Sequence, residues 1–458
     1  MIEIINEEQI YEALDSAVTD ERRINEILTK AEELKGLSLA EVASLVKSNT
    51  GTEKLFETAK YIKNQIYGNR IVLFAPLYIS NICINDCVYC AFRISNKVIK
   101  RKYLQIDQIK KETELLISQG HKRLLLVVGE AYPEYTTKGI QYILDAIENI
   151  YSVKDDKGQI RRLNVNIAPL TVNEFTLLKQ AKIGTYQLFQ ETYHKETYNK
   201  VHPKGIKSDY NWRITAMDRA MQAGIDDVGI GVLFGLYDWK FEILALLQHT
   251  QHLEKRFGVG PHTISVPRIE PATNTPFSLN PPYEVSDEDF KKIIAILRCA
   301  VPYTGIILST RENPEMRRDS LQLGVSQISA GSRTNPGGYG ENDSGSQFSL
   351  GDHRSLDEVI YDLTTMGYIP SFCTACYRLG RTGVDFMDMA KPGLIKEHCT
   401  PNALSTFMEY LLDYASEKTR QMGLKLIDAN IEVMDPLTGN KSRKMLEKIK
   451  NGKRDVYC

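Results

Sequence analysis

Six of the eight cysteines in this 458-residue chain fall into two groups. Cys83, Cys87 and Cys90 lie within eight residues in NICINDCVYCAFR, a CxxxCxxC spacing. Cys373 and Cys376 form a CxxC in SFCTACYRLG, and Cys399 in KEHCT follows after 22 intervening residues. So few and so clustered in a long chain, these thiols read as metal ligands rather than a disulfide framework. Three thiolates on one short loop can hold three corners of a cubane iron–sulfur cluster and leave the fourth iron open to a substrate. Zinc, the competing chemistry, prefers four ligands and takes its cysteines from two separated pairs. For the second group a zinc ion completed by His398 and a second three-thiolate cubane both stand. Cys299, inside the apolar run IIAILRCAVPY, reads as a buried small hydrophobe. Cys458, after the charged tail KNGKRDV, reads as disordered.

The elements that must position these thiols show in the hydrophobic pattern. Residues 1–68 carry Ile, Leu, Ala and Val at helical spacing (INEILTKAEELKGLSLAEVASLV), which predicts a helical N-terminal extension. Eight apolar, β-branched runs then alternate with amphipathic helical stretches, at 71–80, 123–130, 163–169, 185–193, 227–235, 262–271, 305–311 and 325–332. That count predicts an α/β fold, a closed parallel (β/α)8 TIM barrel over residues 69–345, although an open doubly wound sheet would show the same alternation. The first cysteine loop follows the first strand and so sits at the C-terminal face, where barrel active sites are built. After the eighth strand TNPGGYGENDSGSQFSLGDH reads as a linker or functional loop. Residues 346–458 are expected to form a C-terminal helical domain that holds the second cysteine group.

Charge narrows the partners. Lysine and arginine number 57 against 58 acidic residues, so no positive excess exists to neutralise a nucleic-acid backbone or an anionic membrane. The acidic start lacks the basic and apolar regions of a secretory signal, and no apolar run reaches the length of a membrane span. A cytoplasmic protein working on small molecules and other proteins is expected, with no nucleic acid and no membrane.

The CxxxCxxC loop, with Tyr89 before its last cysteine and Phe92 after it, strongly resembles that of the radical S-adenosylmethionine (SAM) superfamily. In that superfamily the SAM amine and carboxylate chelate the open iron, and one electron cleaves the sulfonium to a 5'-deoxyadenosyl radical. The resemblance implies that Gly129 and Glu130 end strand two as the glycine–glutamate motif for the SAM amine, with Val128 in place of a second glycine. Glu191 in QLFQETYH would meet SAM hydroxyl or amine groups, Arg268 would lie near SAM, and Tyr89 belongs to the same cofactor site. Gly229 and Gly231 would let the adenine approach the backbone, or serve as packing glycines.

CxxxCxxC, a barrel and CxxC-x22-C together, with the phrases PHTISVPRIEPA, LSTRE and ISAGSRTNPGGY, resemble the HydG family of FeFe-hydrogenase maturation tyrosine lyases. The family implies cleavage of L-tyrosine to p-cresol and dehydroglycine, and conversion of that fragment to carbon monoxide and cyanide. These are bound by an extra iron attached through L-cysteine to a second 4Fe-4S cluster, as a precursor for the hydrogenase. An electron donor and a maturation scaffold protein are implied partners. His262, just before strand six at the lower end of the barrel, would ligate the extra iron, since neutral imidazole suits that metal. Arg311, ending strand seven, can bind the tyrosine carboxylate with two parallel hydrogen bonds, and Ser329 could add a third. A salt bridge from Arg311 to Glu312 or Glu270 is the structural alternative. A thiamine-pathway tyrosine lyase, which lacks the C-terminal cysteines, and a non-catalytic iron–sulfur carrier are the rival readings.

Overall fold

The computed structural model describes residues 3–131, 139–156, 158–340 and 345–458. Eight parallel strands run around one barrel: β1 (Arg70–Ser80), β2 (Arg123–Val128), β3 (Arg162–Asn166), β4 (Tyr186–Gln187), β5 (Val228–Gly231), β6 (Thr263–Ser265), β7 (Gly305–Leu308) and β8 (Val325–Ser329). β8 pairs back onto β1 through Val72 with Gln327, Leu73 with Ile328 and Phe74 with Ser329. That pairing closes the ring and excludes the open sheet. A ninth strand that the sequence pattern did not show, β9 (Ile369–Ser371), adds to the lower end of β1 with Arg70 opposite Ile369.

The period-two alternation of β1 divides its side chains between two environments. Ile71, Leu73, Ala75, Leu77 and Ile79 are fully buried in the outer core under the helices, whereas Phe74, Pro76 and Tyr78 face the lumen. Barrel interiors are usually filled by layers of branched apolar side chains. Here Asn166, Gln187, Ser265, Ser309 and Ser329 face inward from five other strands or their ends, and the upper lumen is hollow. Apart from β1, which spans its whole predicted run, the strands are shorter than the apolar runs predicted. The run at 185–193 gives a two-residue β4, and beyond it Leu188 N and Gln190 N still donate to the Gly229 and Gly231 carbonyls as the segment runs alongside β5 to the cavity.

Four N-terminal helices, Glu7–Asp15, Glu21–Ala31, Leu39–Lys47 and Thr52–Tyr67, pack outside the barrel. The last lies against helix Asp287–Ala300 and brings Tyr67 under the lumen. Ser38 and Ser355 start their helices with capping boxes closed by Glu41 and Glu358, satisfying otherwise orphaned amides. C-terminal helices include Gly383–Ala390, Lys396–Asp413, Glu417–Glu432 and Pro436–Lys450. Lys396–Asp413 packs on β9 and on Pro436–Lys450. The tail is pinned rather than loose, correcting the expectation for Cys458: its amide donates to Asn402 Oδ1 at 2.8 Å, and Arg381 donates to its carbonyl at 2.8 Å. Cys299 is fully buried among apolar neighbours, as expected. Of the Gly- and Ser-rich stretch after β8, residues 341–344 lie outside the description. Among the described residues no helix is long and apolar enough to cross a membrane.

Candidate active site and lower thiol centre

At the top of the barrel the loop after β1 brings Cys83, Cys87 and Cys90 to one wall of a large cavity. Crossed hydrogen bonds hold the loop's shape. Val88 N donates to Val201 O and Asp86 N to Lys204 O, both at 3.1 Å, while Arg101 donates to the carbonyls of Asn81 and Phe92 at 2.9 and 2.7 Å. Phe92 N points at Cys90 Sγ at 3.4 Å, and Asn85 and Gln347 side-chain amides approach Cys83 and Cys90 Sγ at 3.7 Å. Amide donors of this kind stabilise thiolate sulfur. Burial pushes Cys83 up to about 11 and raises Cys87 and Cys90 as well, so loading a cluster must displace thiol protons.

Gly129 and Glu130 follow β2 into the same cavity. A Cβ at Gly129 would stand 2.3 Å from the Ile82 carbonyl oxygen, so the glycine lets the cysteine loop lie against β2. Glu130 accepts from Arg213 at 2.6 Å and from Asn85 at 2.5 Å. Glu191 accepts from Lys207 at 2.6 Å and pairs with Arg213 at 3.3 Å. It holds a φ of 73°, a left-handed conformation that a non-glycine residue adopts at an energetic cost and that clusters at functional sites. Burial would raise Glu130, but Arg213 and Lys207 hold it below the usual carboxylate range. Tyr89 OH meets His202 Nε2 at 2.8 Å. Arg213, Lys207 and Gln347 carried no local signal in the sequence, because segments far along the chain from the cysteine loop supply them, and Asn85 lies within that loop but outside its cysteine motif.

Across the cavity lie Arg311 and Ser329. Neither expected salt bridge of Arg311 forms. Its guanidinium lies 3.3 Å from the Phe348 ring centroid and makes a long 3.4 Å contact to the Arg268 carbonyl. Ser329 Oγ accepts from Thr310 N at 3.1 Å, which leaves its hydroxyl proton free to donate. Arg268 corrects the expectation of a place near SAM. It pairs with Glu312 at 2.5 Å and Asp287 at 2.8 Å, turned away from the cavity by Glu312, which burial leaves in need of a cation. Gly229 and Gly231 are packing glycines and do not line the cavity. A Cβ would meet Thr263 Oγ1 at 2.4 Å at the first and Ser265 O at 2.8 Å at the second.

A second, smaller cavity lies under the barrel. Cys373, Cys376 and Cys399 line it together with His262, Tyr67, Arg70, Arg123, Asp227 and Arg381. Arg123 donates to the Cys373 carbonyl at 2.8 Å, and Ala375 N points at Cys373 Sγ at 3.5 Å. The Cys376 thiol donates to Cys399. That hydrogen bond, with Arg70, Arg381 and Arg123 around it, lowers Cys399 against the effect of burial. Three guanidinium groups around three thiols suit an anionic thiolate-ligated cluster. The His262 ring packs 4.4 Å from Phe386, and burial lowers it, keeping the imidazole neutral as a metal ligand must be. His398 does not line this cavity; His262 is the histidine that joins the three thiols there. Among the described residues no three Cys, His, Asp or Glu side chains are placed to hold a single metal ion.

Residues 77–247 match the family model of the radical SAM superfamily, and residues 265–369 match that of the biotin and thiamin synthesis associated domain. The 2-iminoacetate synthase of Escherichia coli (strain K12) is 34% identical over 320 residues, which cover 69% of this chain and 81% of that protein. A crystal structure of HydG, a maturase of the [FeFe]-hydrogenase, superimposes with a TM-score of 0.95 at 49% identity over 100% of both chains. HydG from Carboxydothermus hydrogenoformans gives a TM-score of 0.85 at 44% identity over 97% of each. The chain belongs to the HydG family. Its radical SAM barrel therefore uses SAM and a 4Fe-4S cluster. The lower thiols of this HydG-family chain begin four residues after the second family model ends.

Proposed function

We propose that this chain cleaves L-tyrosine to p-cresol and dehydroglycine at the upper cavity. The fragment then becomes carbon monoxide and cyanide, taken up by an iron held with L-cysteine at the lower centre as a precursor for the FeFe-hydrogenase cluster. The observation that carries this reading is the placement of two three-thiol sites at opposite ends of one hollow barrel, with His262 facing the lower one.

In this reading Cys83, Cys87 and Cys90 hold the SAM cluster, and Glu130, Glu191 and Tyr89 shape the SAM pocket. Bound SAM would supply the 5'-deoxyadenosyl radical that takes a hydrogen atom from tyrosine. Arg311 takes the tyrosine carboxylate with Ser329 as an added donor; its lack of a carboxylate partner supports that role. Arg268 has the supporting role of holding Glu312 away. Cys373, Cys376 and Cys399 hold the second 4Fe-4S cluster, and His262 ligates the extra iron. Residues 1–68 brace the barrel of 69–345, and 346–458 closes its lower end. The protein works in the cytoplasm with an electron donor and a maturation scaffold protein.

The 2-iminoacetate synthase relatives favour one second reading, a lyase that stops at the amino-acid fragment. Reduced, reconstituted protein given SAM and L-tyrosine should release p-cresol, and Cys373→Ser/Cys376→Ser should keep p-cresol while losing carbon monoxide. Absence of p-cresol would refute both lyases and leave a cluster carrier; carbon monoxide persisting in the variant would refute the role of the lower centre.

A further inference from the structure

Two opposite charges face the upper cavity with no ion-pair partner among the described residues. Glu270 follows β6 and Arg311 follows β7, neighbouring strands paired through Ile264 with Ile306 and Ser265 with Ile307, and both side chains line the cavity. The surrounding charges are already committed. Glu312 and Asp287 take Arg268, while Glu130 and Glu191 take Arg213 and Lys207. Glu270 makes no ion pair among the described residues, and Arg311 touches only the Phe348 ring and a backbone carbonyl. Half-buried opposite charges held apart in one cavity each carry a desolvation cost that a ligand bearing both complementary charges would offset.

We propose that Glu270 receives the ammonium group of the α-amino acid whose carboxylate Arg311 takes, so that this end of the cavity selects a zwitterion. The inference rests on the tyrosine lyase reading for the identity of that amino acid. Glu130 and Glu191 could serve only by giving up Arg213 or Lys207, whereas Glu270 loses no partner. The Tyr78 and Phe92 rings, at 6.2 Å in an edge arrangement on the same cavity wall, offer an apolar surface for an aromatic side chain. Glu270 is a positioning residue here: it sets where the amino group lies relative to the cluster loop.

Equilibrium dialysis of the reconstituted enzyme with SAM tests this, using L-tyrosine, 3-(4-hydroxyphenyl)propanoate, which lacks the ammonium, and tyramine, which lacks the carboxylate. Glu270→Gln should weaken L-tyrosine and tyramine about tenfold or more, as loss of a charge-assisted hydrogen bond does, and leave the propanoate unchanged. Arg311→Gln should weaken L-tyrosine and the propanoate but not tyramine. Glu270→Asp, which keeps the charge, should restore part of the tyrosine affinity, and SAM affinity should be the same in all three variants. Wild-type enzyme that binds and cleaves tyrosine, with Glu270→Gln binding all three ligands as wild type does, would overturn the inference and spare the lyase reading. Loss of all three ligands together would also overturn it. Wild-type enzyme that binds no tyrosine would overturn the lyase reading and this inference with it.

Discussion

Arg213 is the keystone of the upper site's electrostatics, and its removal has a calculable cost. The guanidinium is 4% exposed and touches Glu130 at 2.6 Å, Glu191 at 3.3 Å and the Phe189 carbonyl at 2.8 Å. Arg213→Met keeps the volume and deletes the charge. Glu191 retains Lys207, but Glu130 keeps only the Asn85 amide as a hydrogen-bond donor, with the Lys207 charge nearby and not in contact. Stranding one buried carboxylate costs about 3–5 kcal/mol, and the lost bond to Phe189 adds about 1 kcal/mol. If an unpaired charge is the cause, neutralising it should help, so adding Glu130→Gln to Arg213→Met should recover about 2 kcal/mol although Glu130→Gln alone destabilises. The assay is anaerobic urea unfolding of wild type, both single variants and the double, without SAM, read as a double-mutant cycle. A double variant less stable than Arg213→Met, or a single Arg213→Met cost under about 1 kcal/mol, would refute the reasoning, because packing rather than charge would then set the energetics.

Gly129→Ala drives a methyl against the Ile82 carbonyl; it should cost about 1–3 kcal/mol and reduce cluster retention at Cys83, Cys87 and Cys90 while the lower centre keeps its iron, as separate EPR signals would show. His262→Ala should lower the iron content by about one per chain from about nine, the sum of two four-iron clusters and one further iron; unchanged iron in elemental analysis would count against the ligand role. Glu242 is fully buried, accepts from Tyr193 N at 2.9 Å and is pushed up to about 8 by burial. With a folded value above the unfolded one of about 4.3, its protonation stabilises the fold below that value. This stability is lost as pH rises toward 8, by up to about 1.4 kcal/mol per unit. Glu242→Gln should flatten that slope in urea unfolding between pH 5 and 8, a window set by the same two values, and an unchanged slope would place the titration elsewhere. Burial and the neighbouring Glu312 push Glu270 up to about 7, against the pull of Arg311 and Arg268. Tyrosine affinity should therefore strengthen as pH rises through about 7 and the carboxylate ionises, and Glu270→Gln should abolish that rise in dialysis.

What the sequence by itself determined is whatever short-range pattern encodes. The eight strands, the helical ends and the buried Cys299 follow from hydrophobic period, and the first thiol triad follows from three cysteines in eight residues. Chemistry of this kind is legible because ligands on one loop stay near each other however the remainder folds. Closure of the sheet was undecided until β8 met β1, since alternation of strands and helices is the same in open and closed forms. The partner of the lower thiols was undecided between His262 and His398. His398 is the immediate chain neighbour of Cys399, yet helix geometry turns it away, while His262 arrives from a strand start over a hundred residues earlier. Arg268 and Arg311 both follow strands of the barrel, and sequence pattern cannot tell them apart. Only the fold shows that Glu312 and Asp287 occupy the first and leave the second facing the cavity. Arg213 and Lys207, which complete the carboxylates at the upper site, belong to the connection after β4 and reach Glu130 and Glu191 through the barrel's closure. Long-range charge pairing has no period and no motif, so tertiary structure alone decides which ionisable groups balance one another and which remain for a ligand.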